Sequence, residues 1–489
     1  MPTLALTSFN IVLGEHFYMS EALISLLAGL VFSPRGANFI RPLEYAGSEE
    51  NLDAATLSFT RLVLGVQLLF AGGQLPSRYL RQEWKPLGLL LRPLMAAMWV
   101  ATSLLVWALI PRLPFLHALA IGACVTPTDP VLSNVIVKGR LADKNVPKDL
   151  QSLIIAESGA NDGLGYPFLF FALYLIKYVG DGGRSELGGA GLAMSLWVGE
   201  TMGYTIIFSV VYGAFAGWAA RVLLHLCEER RIIDHESFVA FAFSLALFIT
   251  GTCGMIGTDD ILACFVAGNV FNWDDRYRLE TLDEVLPCPS SLQPTIDMLL
   301  NVTVFMWYGA VCPWYSFPAN SITSLPRLIL LAILVLLFRR LPSILVLRKR
   351  IPQIESLRHA VFMGFFGPIS CSAIFWDVAH LREAVSVLVW FMVISSVVVH
   401  GLSIPIVKLG FYLPRSISGS PSSSEGSPGP DPTGVGSSRK LRPVSVQLVY
   451  RVLPEHVDAT SPSLYLYLAI PDEADGSRGG CKGPRAPTR

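Results

Sequence analysis

Charge is what this 489-residue sequence has least of: 15% of its residues are Asp, Glu, Lys or Arg, against roughly 25% in a soluble domain. Its 37 basic and 37 acidic side chains cancel, so bulk electrostatics offers nothing to nucleic acid or to an acidic membrane surface, and no nucleic-acid partner is expected. Eight cysteines (Cys124, Cys227, Cys253, Cys264, Cys288, Cys312, Cys371 and Cys481) lie mostly in apolar runs. They lack the paired spacing of a disulfide framework or a zinc site and read as small buried hydrophobes. No GxxxxGKS or GxxxxGKT phosphate loop is present, so ATP chemistry has no foothold. The first charge is Glu15 and no basic stretch precedes it, so no cleavable signal peptide is expected.

Apolar residues take up what charge leaves vacant, at 52% of the chain with a mean hydropathy of +0.51. Runs such as Leu87 to Ile110, Met202 to Leu226 and Leu325 to Leu347 approach or exceed the roughly 20 residues that carry a helix across hydrocarbon. Twelve spans are expected, at 20–34, 55–73, 88–110, 116–137, 150–178, 198–224, 237–255, 258–272, 298–315, 324–347, 358–377 and 383–409. The fold class is therefore an all-α polytopic membrane protein embedded in a lipid bilayer. Loops after even-numbered spans, counted with the span ends that border them, hold 18 Lys and Arg residues and those after odd-numbered spans hold 7, which places the even side and the C-terminal tail in the cytoplasm. Ser418 to Ser438 is almost wholly Ser, Gly and Pro with a few acids, a composition that cannot offset the entropy of ordering. Three regions result: a short N-terminal segment 1–19, a membrane domain 20–410 and a largely disordered cytoplasmic tail 411–489.

An ionisable side chain inside a span costs about 2.5 to 3.5 kcal/mol even on a lenient scale, so each is a candidate functional residue. In the fourth span, Thr126-Pro127-Thr128-Asp129-Pro130 breaks the helix, because two prolines remove backbone donors and free carbonyls at depth. Asp129 then sits among carbonyl and hydroxyl oxygens, a hard environment suited to a small cation; alternatively it caps the second half of a kinked helix. The fifth span carries Glu157-Ser158-Gly159-Ala160-Asn161-Asp162-Gly163. Glu157 and Asn161 share a helix face, and Asp162 is turned about 100° from Asn161. Glu157 calls for a positive partner, and Arg339 or Arg340 of the tenth span supplies one unless both snorkel to the interface. Thr258-Asp259-Asp260 either caps the eighth span or forms a further acidic site. A second break, Gly364-Phe365-Phe366-Gly367-Pro368-Ile369-Ser370-Cys371-Ser372, interrupts the eleventh span. Paired breaks point to an inverted-repeat transporter. The repeat is symmetric if a helix is missing before Met19, of which Met1 to Gly14 is a 14-residue apolar remnant. His380 and His400, near span ends, read as interfacial.

With these motifs the chain resembles the fungal plasma-membrane sodium/proton antiporters of the monovalent cation:proton antiporter superfamily. The likeness runs through Tyr18 to Leu23, the TPTDP break, Glu157 to Gly163, Asp234 to Phe238, Thr258 to Asp260 and Gly364 to Pro368. The resemblance implies an inverted-repeat antiporter fold with two broken crossing helices, about 12 helices of a 13-helix plan, and a homodimer in the plasma membrane. It also implies a transporter rather than an enzyme, with no resident cofactor. Na+, Li+ or K+ is exchanged for protons by alternating access, in the service of salt tolerance and cation homeostasis. By that resemblance the cation and proton site maps onto Asp162, Asn161, Asp129, Thr128 and Thr126, with Asp162 and Asp129 as ligands of the transported sodium. Glu157, Arg339, Arg340, Asp259, Asp260, Pro130, Gly367 and Pro368 support it. Two departures stand out: Phe365 replaces the His of a GHFGP segment, and Ser370-Cys371-Ser372 replaces a glycine-rich run. A transport-impaired sensor and a cation channel are the alternative functions.

Overall fold

In the computed structural model, the described residues are 20–137, 146–180, 188–230, 235–281, 292–370 and 382–417, and among them helices are the only extended elements. The principal ones are α1 (Glu21–Phe32), α2 (Glu49–Gln74), α3 (Trp84–Leu109), α4 (Phe115–Val125), α5 (Pro130–Val137), α6 (Lys148–Gly163) and α7 (Gly165–Tyr178). They continue with α8 (Gly189–Glu229), α9 (His235–Ile256), α10 (Asp260–Phe271), α11 (Leu292–Val311), α12 (Leu325–Phe338), α13 (Leu341–Leu347), α14 (Leu357–Phe365) and α15 (Arg382–Ile417). Among the described residues, helix falls within each expected span, with 116–137 and 150–178 each divided into two helices and 371–377 of the eleventh lying outside the described residues. Six segments are by themselves long and apolar enough to cross a membrane, in α2, α3, α8, α9, the α12–α13 region and α15. The N-terminal remnant, His380, Cys371, Ser372 and the tail from 418 onward lie outside the described residues.

Local chemistry sets the helix ends. Ser48 accepts a hydrogen bond from the Asn51 amide at 3.2 Å, and Glu49 and Glu50 fill the first turn of α2, where the helix dipole favours anions. Ser356 caps α14 in the same way through the His359 amide. Pro93 falls inside α3, where a π-helical turn at Leu90–Leu94 accommodates its missing donor. Pro342 opens α13, so the expected continuous span 324–347 is divided at Arg339 and Arg340.

Two groups of helices result. α2 lies along α10, α10 against α8, and α1 along α11. In the other group α3 packs on α4 and α12, while α4 also contacts α7 and α15. α6 stands at the seam, touching α5 on one side and α10 and α2 on the other. Close approach needs small residues: a Cβ on Gly29 of α1 would fall 2.0 Å from the Met306 carbonyl oxygen of α11. The outward faces of α8 and α12 expose Val198, Ile207, Val211, Phe215, Ile329 and Ile333, an apolar surface suited to lipid. Cys124, Cys253, Cys264 and Cys312 are buried as unbridged hydrophobes, and Cys227 is half-buried.

Candidate functional site

The two helix breaks meet. Residues between α4 and α5 run antiparallel to those following α14, with a bridge pairing Thr128 and Ile369. The Asp129 amide donates to the Pro368 carbonyl at 2.9 Å, and the Ser370 amide donates to the Pro127 carbonyl at 3.1 Å. Each break thus satisfies backbone groups that the other's prolines and turns leave open, which makes irregular backbone tolerable at membrane depth. The amide of Ile369 also donates to Ser396 Oγ of α15 at 2.9 Å.

α6 lies against this crossing. Asn161 Oδ1 accepts from the Thr128 amide at 3.1 Å, and its Nδ2 donates to Thr128 Oγ1 at 2.8 Å. Thr128 Oγ1 is 3.0 Å from Ser158 Oγ, which is 3.1 Å from Ser133 Oγ on α5. This file of oxygens is closed to solvent at every member. Asp129 is fully buried, and its Oδ1 accepts from the Val131 and Leu132 amides at 2.8 and 3.3 Å. It caps α5 while standing at the crossing, so the capping role weighed from sequence is present. Pro130 begins that helix. Thr126 points elsewhere: its hydroxyl donates to the Gly122 carbonyl of its own helix at 2.7 Å, and only its carbonyl faces the crossing.

The two arginines divide the work. Arg340 donates through both terminal nitrogens to the two Glu157 oxygens, 2.7 Å each, and through Nε to the Met363 carbonyl at 2.9 Å. Arg339 instead donates to carbonyls of both breaks, Val125 and Thr126 on one and Gly367 on the other. Neither reaches the interface, since both are at most 2% exposed, and the snorkelling alternative is excluded. Gly367 is required here: a Cβ would come within 2.4 Å of Arg340 Cδ.

Asp162, on the next helical position after Asn161, is 4% exposed. The end of α6 abuts the start of α10, where a Cβ on Gly163 would meet Leu262 at 2.6 Å. Asp259 caps α10 by accepting from the Leu262 amide at 3.0 Å, and Asp260 pairs with Arg61 of α2 at 3.0 Å. Of the two roles weighed from sequence for this turn, the cap is present. Among the described residues, no three His, Cys, Asp or Glu side chains converge as a resident metal site.

Sequence reasoning passed over Arg61, Ser133 and Ser396. Arg61 carried the signal applied to the other charges, an ionisable group inside an expected span. His400 is a correction, being 3% exposed rather than interfacial. Its Nε2 lies 3.0 Å from the Phe365 carbonyl oxygen, its Nδ1 2.8 Å from that of Ser396, and its ring 5.5 Å from the Phe365 ring.

Comparison with known proteins matches residues 3–409 to a family described as sodium/hydrogen exchanger, transmembrane. The chain is 35% identical over 432 residues to Na(+)/H(+) antiporter 2 of Zygosaccharomyces rouxii, covering 83% of this chain and 51% of that protein. It is 35% identical over 433 residues to the Na(+)/H(+) antiporter of Saccharomyces cerevisiae, covering 83% of this chain and 42% of that one. The chain therefore spans about half the length of these two relatives. A Na(+)/H(+) antiporter of Schizosaccharomyces pombe is 31% identical over 449 residues, covering 85% of this chain and 91% of the other. The fold is shared with the sodium proton antiporter MjNhaP1 of Methanocaldococcus jannaschii, with a TM-score of 0.57 at 14% identity, covering 85% of this chain and 96% of that one.

Proposed function

The chain belongs to the transmembrane sodium/hydrogen exchanger family, and on that premise we propose that it is a secondary-active exchanger of monovalent cations for protons. The observation that carries the proposal is the set of buried ionisable groups at and beside the crossing: Asp129, Glu157, Asp162, Arg339 and Arg340 are all at most 4% exposed. Glu157 is held by Arg340, and Asp129 caps the N-terminus of α5. We take Asp162 as the carboxylate that binds cation and proton, because its neighbour Asn161 is bonded to Thr128 of the crossing.

A carboxylate held inside a membrane protein is costly to keep ionised, so it favours a bound counter-charge whenever one is within reach. One proton balances it, and so does one Na+, Li+ or K+. The two compete for the same carboxylate, so binding one releases the other, and the neutralised site is the state that crosses. Asn161, Thr128 and the Ser158–Ser133 hydroxyls supply neutral oxygens that replace part of the cation's hydration. Exchange then needs no ATP. We assign the protein to the plasma membrane as a homodimer with its tail in the cytoplasm, the last following from the Lys and Arg bias of the loops, and with a role in salt tolerance.

The test is sodium-dependent proton movement in proteoliposomes containing the purified full chain and a pH-sensitive dye. Wild-type protein is expected to give saturable counter-transport and Asp162→Asn none. Exchange surviving in Asp162→Asn would overturn the site, and unitary channel currents in place of saturating exchange would overturn the function.

A further inference from the structure

Away from the crossing, Arg61 of α2 donates through Nε to Asp260 Oδ2 of α10 at 3.0 Å. Asp259 precedes Asp260 as the cap of α10, and the end of α6 that carries Asp162 packs on the same turn, where a Cβ on Gly163 would meet Leu262 at 2.6 Å. Arg61, Asp260 and Asp259 therefore lead from α2 onto α10, with the Asp162 end of α6 beside them.

This ion pair and the one at the crossing are built differently. Arg340 holds Glu157 by two bonds, with side chains 3% and 1% exposed. Arg61 holds Asp260 through Nε, and while the Asp260 side chain is 5% exposed, that of Arg61 is 33% exposed. A pair with one partner partly in water loses less solvation when made and so less when broken. The guanidinium can withdraw toward solvent on its long stem. The carboxylate cannot, because Asp260 is fixed in the first turn of α10 behind the Asp259 cap. If Arg61 leaves, Asp260 requires another positive charge in its place.

We propose that Arg61 is a tethered counter-cation that occupies the Asp260 carboxylate between transport events and is displaced by an arriving monovalent cation. It acts as a positioning residue: it sets how much cation is needed to reach the Asp259–Asp260 carboxylates, without touching the cation held at Asp162. This proposal rests on the exchanger function above. The Asp259–Asp260 turn joins α9 to α10 on the side opposite the Lys- and Arg-rich loops, so the effect belongs to cation supplied from that face.

The experiment measures sodium-dependent proton movement against sodium concentration in proteoliposomes, for the wild-type chain, Arg61→Gln, Arg61→Lys, Asp260→Asn and the double variant Arg61→Gln/Asp260→Asn. Removal of the tethered competitor is expected to lower the KM for sodium roughly three- to fivefold, the size of a half-exposed ion pair, with kcat within about twofold. Arg61→Lys, which keeps the charge, is expected to keep the wild-type KM within about twofold. In the Asp260→Asn background the Arg61→Gln change is expected to leave KM unmoved, and this cycle isolates the pair from any general damage to the fold. A KM that is unchanged or raised in Arg61→Gln, or lowered equally in Arg61→Lys, overturns the proposal while leaving the exchanger function intact. Absence of exchange in the wild-type chain overturns the exchanger function and this proposal with it.

Discussion

Arg340 and Glu157 face each other through two parallel hydrogen bonds of 2.7 Å, with both side chains shut off from solvent. The pair joins α6 to the start of α13, while the preceding residue, Arg339, turns to the backbone of the two breaks. Two adjacent arginines thus hold the site from different directions, one by a carboxylate and one by carbonyls. Each arrangement makes a distinct demand on the side chain.

Removing one partner of a buried pair strands the other, at a cost of about 3 to 5 kcal/mol. Arg340→Ala is expected to lose that much stability, read as a fall in melting temperature and in monodisperse yield by size-exclusion chromatography in detergent. Arg340→Lys is expected to recover little of it, because a single ammonium cannot reproduce the two-pronged contact. Full stability in Arg340→Lys would contradict the geometry.

Arg339→Met keeps bulk but removes the donors that serve Val125, Thr126 and Gly367. Each buried carbonyl left unserved costs about 1 to 3 kcal/mol. The loss is expected to appear locally, as faster amide hydrogen exchange at 126–129 and 366–370, with α1 and α11 unchanged. Uniform acceleration across the chain would argue instead for global unfolding.

Gly367→Ala places a methyl 2.4 Å from Arg340 Cδ and 2.7 Å from its Nε. The side chain must move off Glu157 or the break must shift, and such overpacking typically costs about 1 to 3 kcal/mol. A reduced melting temperature together with slower exchange is expected. A structure of the variant showing the Arg340–Glu157 bonds undisturbed would refute the steric argument.

Thr128→Val preserves shape while deleting the hydroxyl that links Asn161 to Ser158. Loss of one oxygen from the file beside Asp162 is expected to raise the KM for sodium roughly tenfold, about 1.4 kcal/mol of cation binding, with a smaller effect on kcat. The proton-sensitive arm of the pH profile is expected to move less, since a proton needs no coordinating oxygens. Equal sensitivity to sodium and proton would place Thr128 outside the cation's surroundings.

Much of this site was legible in the amino-acid order because its chemistry conflicts with hydrocarbon. Asp129, Glu157 and Asp162 stand out in apolar spans, and Pro127, Pro130 and Pro368 mark where helices stop. What stayed hidden depends on backbone direction. The choice between Arg339 and Arg340 is made by an interruption: Arg339 ends α12, Arg340 has φ −118° and ψ −45°, and Pro342 begins the next helix, so consecutive side chains part company. A continuous helix, as the hydropathy suggests, gives no such divergence. Thr126 was misjudged for a similar reason, since a hydroxyl near a helix end is drawn back to the carbonyl four residues earlier. His400 was misplaced and Arg61 overlooked because each stands apart from the other motifs, with partners as far as 35 and 199 residues away.

The direct bonds between the two breaks run from main chain to main chain, from the amides of Asp129 and Ser370 to the carbonyls of Pro368 and Pro127. Such bonds place few demands on side-chain identity beyond the room that Gly367 provides and the guanidinium of Arg339 that braces both breaks. Phe365 illustrates that latitude, because what it offers His400 is its carbonyl, which any residue at that position also carries. A crossing made in this way can tolerate changes in the local spelling of its motifs.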